Sequence, residues 1–264
     1  MIRPIRTAVA LAGAATLLAA CGGESEGGGS EYELVAPGTL TACSDVPYPP
    51  FEVEDSEAPS GYSGFDIDLL QAIAENLELE LVVQDTGFDA LQSGTALAAG
   101  QCDIGASAIT ITPERQQNLD FTDPYYNSLQ SLLVPADSDI ESIDDLAGHT
   151  VGVQQGTTGQ TYAEENAPEG TEFLALPSDG ELWPALQAGQ IDAILQDLPV
   201  NDQHQQDDDG YEIVEQYETD EQYGFALAKD LNPQLREAIN AELAALRENG
   251  TYDEIYNSYF PENG

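Results

Sequence analysis

Two oppositely charged side chains and a pair of threonines at a helix start are the groups in this chain best suited to chemistry. Arg115 closes the stretch Ser107-Ala108-Ile109-Thr110-Ile111-Thr112-Pro113-Glu114-Arg115, directly after a strand-like apolar run. Its planar guanidinium fork suits a carboxylate. Thr157 and Thr158 follow Gly156 where a helix is expected to begin. Free backbone N–H groups and the positive dipole end favour an anion there. Asp197 follows the apolar run 191–195 and can balance an ammonium, assisted by the Thr110 hydroxyl. An anion clamp beside a cation clamp describes an α-amino acid. Each residue also has an ordinary reading: a threonine that only caps its helix, an aspartate in a turn, an arginine in a surface pair.

Arg115 stands out further because cations are scarce. The chain has 6 Lys and Arg against 49 Asp and Glu, a formal net charge of −43. Arg3 and Arg6 lie in an expected leader, while Lys229, Arg236 and Arg247 fall near or within a C-terminal helical pattern and read as solvated surface residues. So acidic a chain cannot track phosphates, which excludes nucleic acid as a partner. The excess of acids reads as adaptation to high salt, where screening removes self-repulsion. His149 and His204 are too isolated for a metal site and read as surface residues; neither a metal nor a cofactor is expected.

The elements that must position these groups follow from hydrophobic periodicity. Residues 39–43 read as a strand, followed by a proline-fixed loop, Ser44-Asp45-Val46-Pro47-Tyr48-Pro49-Pro50-Phe51. Gly64-Phe65-Asp66 opens a helix carrying Ile67, Leu70, Ile73, Ala74 and Leu77 at helical spacing, with Asp66 placed to cap it. A strand at 79–83, a helix at 88–99 and a strand at 103–109 complete a pattern that indicates a doubly wound parallel sheet. A second set follows: strands at 132–134, 150–153, 173–174 and 191–195, with helices at 142–147, 157–166 and 179–188. Residues 223–228 are extended, and helices are expected at 232–249 and 252–259. In open α/β sheets ligands sit beyond the carboxyl ends of strands. That rule selects 45–48, 110–115, 155–158 and 196–197.

At the N-terminus, Arg3 and Arg6 precede the apolar run 7–20, too short to span a bilayer, which needs about 20 residues. Residues 1–20 are therefore expected to be an export signal. The ending Leu18-Ala19-Ala20-Cys21 resembles the lipobox of bacterial lipoproteins, which implies lipidation of Cys21, and 21–33 reads as a flexible Gly/Ser/Glu tether. An exported compartment permits a disulfide between the remaining Cys43 and Cys102; two buried thiols are the alternative.

Six collinear motifs carry a resemblance. Tyr48-Pro49-Pro50-Phe51, Gly64-Phe65-Asp66-Ile67-Asp68-Leu69, Thr110-Ile111-Thr112-Pro113-Glu114-Arg115, Phe121-Thr122-Asp123-Pro124-Tyr125-Tyr126, Val153-Gln154-Gln155-Gly156-Thr157-Thr158 and Gly189-Gln190-Ile191-Asp192-Ala193 resemble the family 3 solute-binding proteins of ABC importers, which bind polar amino acids. The resemblance implies a two-lobed α/β fold of the type II periplasmic-binding-protein kind, with a two-crossing hinge near Gln130 and Tyr223. Lobe 1 would take 34–130 and 223–264, and lobe 2 residues 131–222. It further implies that Arg115 and the Thr158 N–H, beside Thr157, hold the ligand carboxylate. Asp197, the Thr110 hydroxyl and the Ala108 carbonyl would hold its ammonium. Tyr48 and Phe88 would sandwich the ligand side chain, and Asp45 would contact its polar tip, with Gln154 beside it. Asp45 occurs in the family with cationic and amide ligands alike, and Gln154 stands where such relatives often have an apolar residue or a lysine. The implied protein is a monomeric capture subunit outside the cytoplasm, lipid-anchored to the cell membrane and delivering a basic or neutral-polar amino acid to ABC permease subunits. Two other readings use the same scaffold: an enzyme resembling cyclohexadienyl dehydratases, and a tethered amino-acid sensor.

Overall fold

The computed structural model of the chain describes residues 32–261, so the expected leader, Cys21 and most of the tether lie outside the described residues. In chain order the elements are β1 (Thr39–Ser44), β2 (Val53–Glu54), β3 (Tyr62–Ser63), α1 (Phe65–Asn76), β4 (Glu80–Asp85), α2 (Phe88–Gln92), α3 (Thr95–Ala98), β5 (Ile104–Gly105) and β6 (Leu119–Phe121). They continue with β7 (Tyr126–Pro135), β8 (Thr150–Gln154), α4 (Thr158–Asn166), β9 (Glu172–Leu176), α5 (Asp179–Gln187), β10 (Ala193–Asp197) and α6 (Leu198–Asp207). The last are β11 (Tyr211–Tyr223), β12 (Ala226–Ala228), α7 (Pro233–Asn249) and α8 (Thr251–Tyr259).

Two five-stranded sheets result, ordered β4-β1-β5-β12-β6 and β11-β7-β10-β8-β9. Strands β4, β1 and β5 are parallel, as are β10, β8 and β9. The purely parallel expectation fails at β12, β7 and β11, which pair antiparallel. These are the strands flanking the two passages of the chain between sheets, and they enter from the opposite direction. The first passage lies between β6 and β7, so β7 runs straight through the expected boundary at residue 130. The second lies between β11 and β12. Helices α7 and α8 then return to the first sheet, where Leu235, Ile239, Leu243 and Leu246 join the core of α1, and Tyr252, Tyr256 and Tyr259 pack against it.

Strand β1 is buried on both faces apart from Thr39, as befits a central strand covered by helices on either side. The first turn of α1 departs from expectation. Its N-cap is Gly64 with φ 126°, and a Cβ there would lie 2.2 Å from the Phe51 carbonyl oxygen. This approach lets the Phe65 and Asp66 N–H groups donate to the Pro50 and Phe51 carbonyls. Main-chain carbonyls thus cap the helix, and Asp66 turns inward instead of capping. The helix expected at 88–99 is two helices, α2 and α3, because Gly94 takes a left-handed conformation (φ 79°) between them. Cys43 and Cys102 form a disulfide within the second face of the first sheet. His204 is a correction as well: it is buried, its ring stacks on Trp183 (centroids 4.3 Å apart) and its Nε2 lies 2.9 Å from Asp179. His149 lies near the surface beside Asp192.

Candidate functional site

Four strand ends converge where the sheets face each other. After β1 come Asp45 and the proline loop with cis bonds at Val46-Pro47 and Pro49-Pro50. After β5 comes the loop that reaches Arg115, after β8 the start of α4, and β10 ends at Asp197. All ten residues expected at a ligand line one cavity, which adds only Ser107.

Arg115 is buried, 5% exposed. Its Nη1 donates to the Thr110 carbonyl (2.8 Å) and its Nη2 to the Gly156 carbonyl (3.1 Å). Its Cζ lies 5.3 Å from the Phe88 ring centroid, so Phe88 faces the guanidinium as well as the cavity. Among the described residues Arg115 makes no ion pair, in contrast to Lys229 and Arg236, which both reach Asp120. Burial pulls its pKa down, while the fields of Asp197 and Glu221 oppose the fall. Gly156 and the α4 start stand beside the guanidinium. Thr157 is the N-cap, its hydroxyl accepting from the Gln160 N–H (3.0 Å), and Thr158 is the first helical residue. The first N–H groups of any helix lack intrahelical acceptors, so α4 points donors at this end of the cavity.

Asp197 faces them from β10. Its Oδ2 accepts from the Tyr48 hydroxyl (2.7 Å), and its Oδ1 accepts from Gln130 Nε2 (2.5 Å). Burial, with Glu221 adding to it, raises its pKa to about 7. Tyr48, expected to flank a ligand side chain, spends its hydroxyl on Asp197 across the two sheets. Asp45 Oδ2 accepts from Gln154 Nε2 (2.6 Å), and burial raises its pKa to about 6. Gln154 also donates to the Pro177 carbonyl (3.1 Å).

Beneath these residues lies a layer that sequence reasoning missed. Ala108 takes a left-handed φ of 45°, uncommon for a side-chain-bearing residue. The buried Asp66 carboxylate holds it, accepting from the Ala108 N–H (2.9 Å) and the Tyr125 hydroxyl (2.6 Å). Glu52, fully buried and raised well above the usual carboxylate range by that burial, accepts from the Ser107 hydroxyl (2.6 Å). Ser107 Oγ in turn accepts from the Asp45 N–H (3.1 Å). Gln130 and Glu221 also went unread. They sit inside strands, and the available signal was a polar residue breaking the apolar run of β7.

Known proteins resemble this chain over most of its length. A family model described as bacterial extracellular solute-binding proteins, family 3, matches residues 40–262. The histidine-binding periplasmic protein of Escherichia coli (strain K12) is 33% identical over 234 residues, 85% of this chain and 88% of that protein. The ABC transporter glutamine-binding protein GlnH of Bacillus subtilis (strain 168) is 32% identical over 266 residues, 95% of this chain and 94% of that protein. The crystal structure of the ancestral amino acid-binding protein AncCDT-1, a precursor of cyclohexadienyl dehydratase, matches with a TM-score of 0.74 and 34% identity, over 84% of this chain and 95% of that one. With a match across nearly all described residues, the chain belongs to the bacterial extracellular solute-binding proteins, family 3.

Proposed function

We propose that this protein captures an L-amino acid between its two lobes outside the cytoplasm and delivers it to an ABC permease. One observation carries the reading: a buried guanidinium with no ion pair among the described residues and a buried carboxylate line the same cavity. Burying an unpaired charge costs several kcal/mol, so Arg115 is arranged for an anion that arrives with the ligand. A zwitterion offers a carboxylate to Arg115 and the α4 N-terminus, and an ammonium to Asp197, Thr110 and the Ala108 carbonyl.

Charge narrows the ligand's side chain. Asp45 and Asp197 line the cavity against a single cation, Arg115. An acidic side chain would meet no counter-charge there, whereas a cationic or amide tip finds Asp45 and Gln154. The ligand is therefore a basic or neutral-polar amino acid. In this reading Cys21 bears the lipid that anchors the protein, and the chain acts as a monomer. A thermal-shift screen over the twenty amino acids, ornithine and citrulline tests it, because a ligand specific for the folded state raises the melting temperature. L-Arginine, L-histidine or L-glutamine should give the large shifts, and a flat response to all would overturn the proposal. The ancestral dehydratase precursor favours one rival, an enzyme in which Asp45, held near pKa 6, serves as general acid. Turnover of prephenate or arogenate, followed by absorbance, would establish that rival instead.

A further inference from the structure

Glu221 is a buried carboxylate, 7% exposed, that no role described so far has used. It lies on β11 beside the second passage between sheets, opposite Ser128 of β7. The backbone is distorted to place it. The β11–β7 register shifts between Tyr217 and Glu221, and the intervening Asp220 has a left-handed φ of 53°. Bulges and left-handed side-chain-bearing residues of this kind re-aim a neighbouring side chain at a local cost in backbone energy.

What the distortion achieves is a convergence of three elements on one carboxylate. Glu221 Oε2 accepts from the Thr110 hydroxyl (2.8 Å), on the loop after β5, and from the Thr158 hydroxyl (2.9 Å), at the start of α4. These two threonines come from opposite lobes. Glu221 Oε1 accepts from Gln130 Nε2 (3.0 Å), and the same nitrogen donates to Asp197 Oδ1. The Ile111 N–H donates to the Gln222 carbonyl (2.8 Å), clipping the Thr110 loop to β11 beside Glu221.

The chemistry of a hydroxyl gives this convergence its meaning. A threonine has one O–H to donate, and both are spent on Glu221. Towards a third group each oxygen can only accept. Thr110 is thereby set as an acceptor for an ammonium, and Thr158 is left with its backbone N–H as its donor to a carboxylate. We propose that Glu221 is a positioning residue for amino-acid capture: it fixes the two threonine hydroxyls as acceptors and ties the Thr110 loop to the start of α4 across the cleft. This rests on the capture reading above. A glutamine side chain cannot do the same in its place. With the carbonyl of the substituted amide towards the threonines, its NH₂ meets the Gln130 NH₂; turning either amide moves a donor or an acceptor clash elsewhere in the network.

A double-mutant cycle on L-arginine binding, measured by calorimetry on the full folded protein, tests the proposal. Losing hydrogen bonds to a charged group predicts that Glu221→Gln weakens binding about 10- to 100-fold. Thr158→Val should weaken it about 5- to 10-fold in the wild-type background and less than about 2-fold in the Glu221→Gln background, because the partner is already gone. Thr158→Ser, which keeps the hydroxyl, should recover most of the loss. Unchanged affinity in Glu221→Gln, or equal losses from Thr158→Val in both backgrounds, would overturn the proposal and leave amino-acid capture standing. If Glu221→Gln does not fold, equal losses in Thr158→Val and Thr158→Ser would overturn it. If the wild-type protein binds no amino acid, the capture reading fails first.

Discussion

Replacing Asp197 by asparagine keeps the shape of the side chain and removes the charge proposed to hold the ligand ammonium. Two unit charges about 4 Å apart attract by about 4 kcal/mol at the effective dielectric typical of proteins. Part of that is offset in the wild-type protein, since burial raises the Asp197 pKa to about 7 and a proton competes with the ammonium. The sign follows. Only the deprotonated carboxylate holds a cation, so the wild-type affinity is greatest above pH 7 and falls about tenfold per unit below it. From pH 8 to pH 5.5 the loss from this group is about 30-fold, given a pKa of about 7. Asp45, raised to about 6, adds a further fall for a ligand with a cationic side chain. The asparagine variant carries no such charge and also sets an NH₂ group against the Tyr48 hydroxyl or the Gln130 amide. Calorimetric titration with L-glutamine or L-arginine should show Asp197→Asn weaker by about 100-fold or more at pH 8, with the gap narrowing towards pH 5.5. Parallel pH profiles, or a variant within about threefold of wild type at pH 8, would refute the assignment of the ammonium to Asp197.

The remaining predictions concern the frame around the site. Removing the disulfide in a Cys43→Ala/Cys102→Ala double variant opens a loop with a sequence separation of 59. In the chain-entropy account this lowers stability by up to about 4 kcal/mol, read from urea unfolding midpoints under oxidising conditions. A midpoint that does not move would show that the bond adds no stability. Asp66→Ala strands the Ala108 N–H and the Tyr125 hydroxyl in a dry interior, each left-over group costing about 1–3 kcal/mol. The variant should lose about 2–5 kcal/mol of stability and bind the ligand more weakly, because the left-handed Ala108 turn is no longer held. Intact stability and affinity in that variant would mean the buried carboxylate is dispensable.

The loops after β1, β8 and β10 were legible because apolar runs, prolines and glycines punctuate the sequence near those strand ends, whereas the strand expected over 103–109 ends at Gly105 and its loop begins earlier than read. The strand-end rule then needed only the residue types at those places. The supporting layer was not legible. Asp66 reads as a helix cap until Gly64 lets main-chain carbonyls cap α1 instead, and its partner Ala108 lies 42 residues away. Glu221 pairs with Thr110 across 111 residues, and a register shift hides its position within an acidic edge strand. Strand β11 itself escaped notice because its side chains alternate among polar residues more than between apolar and polar. Helix α6 did too, with few apolar residues and only Val200, Asn201 and His204 buried. His204 looked solitary in sequence because its neighbours, Asp179 and Trp183, belong to another helix.

The claim that this cavity holds an amino-acid zwitterion rests most heavily on Arg115, the buried cation without an ion pair among the described residues. Calorimetry of Arg115→Ala with the amino acid that gives the largest thermal shift tests it most directly. Leaving the ligand carboxylate without its guanidinium costs about 3–5 kcal/mol, so the affinity should fall by about 100-fold or more, while Arg115→Lys restores part of it. An Arg115→Ala protein that binds as tightly as wild type would contradict the account.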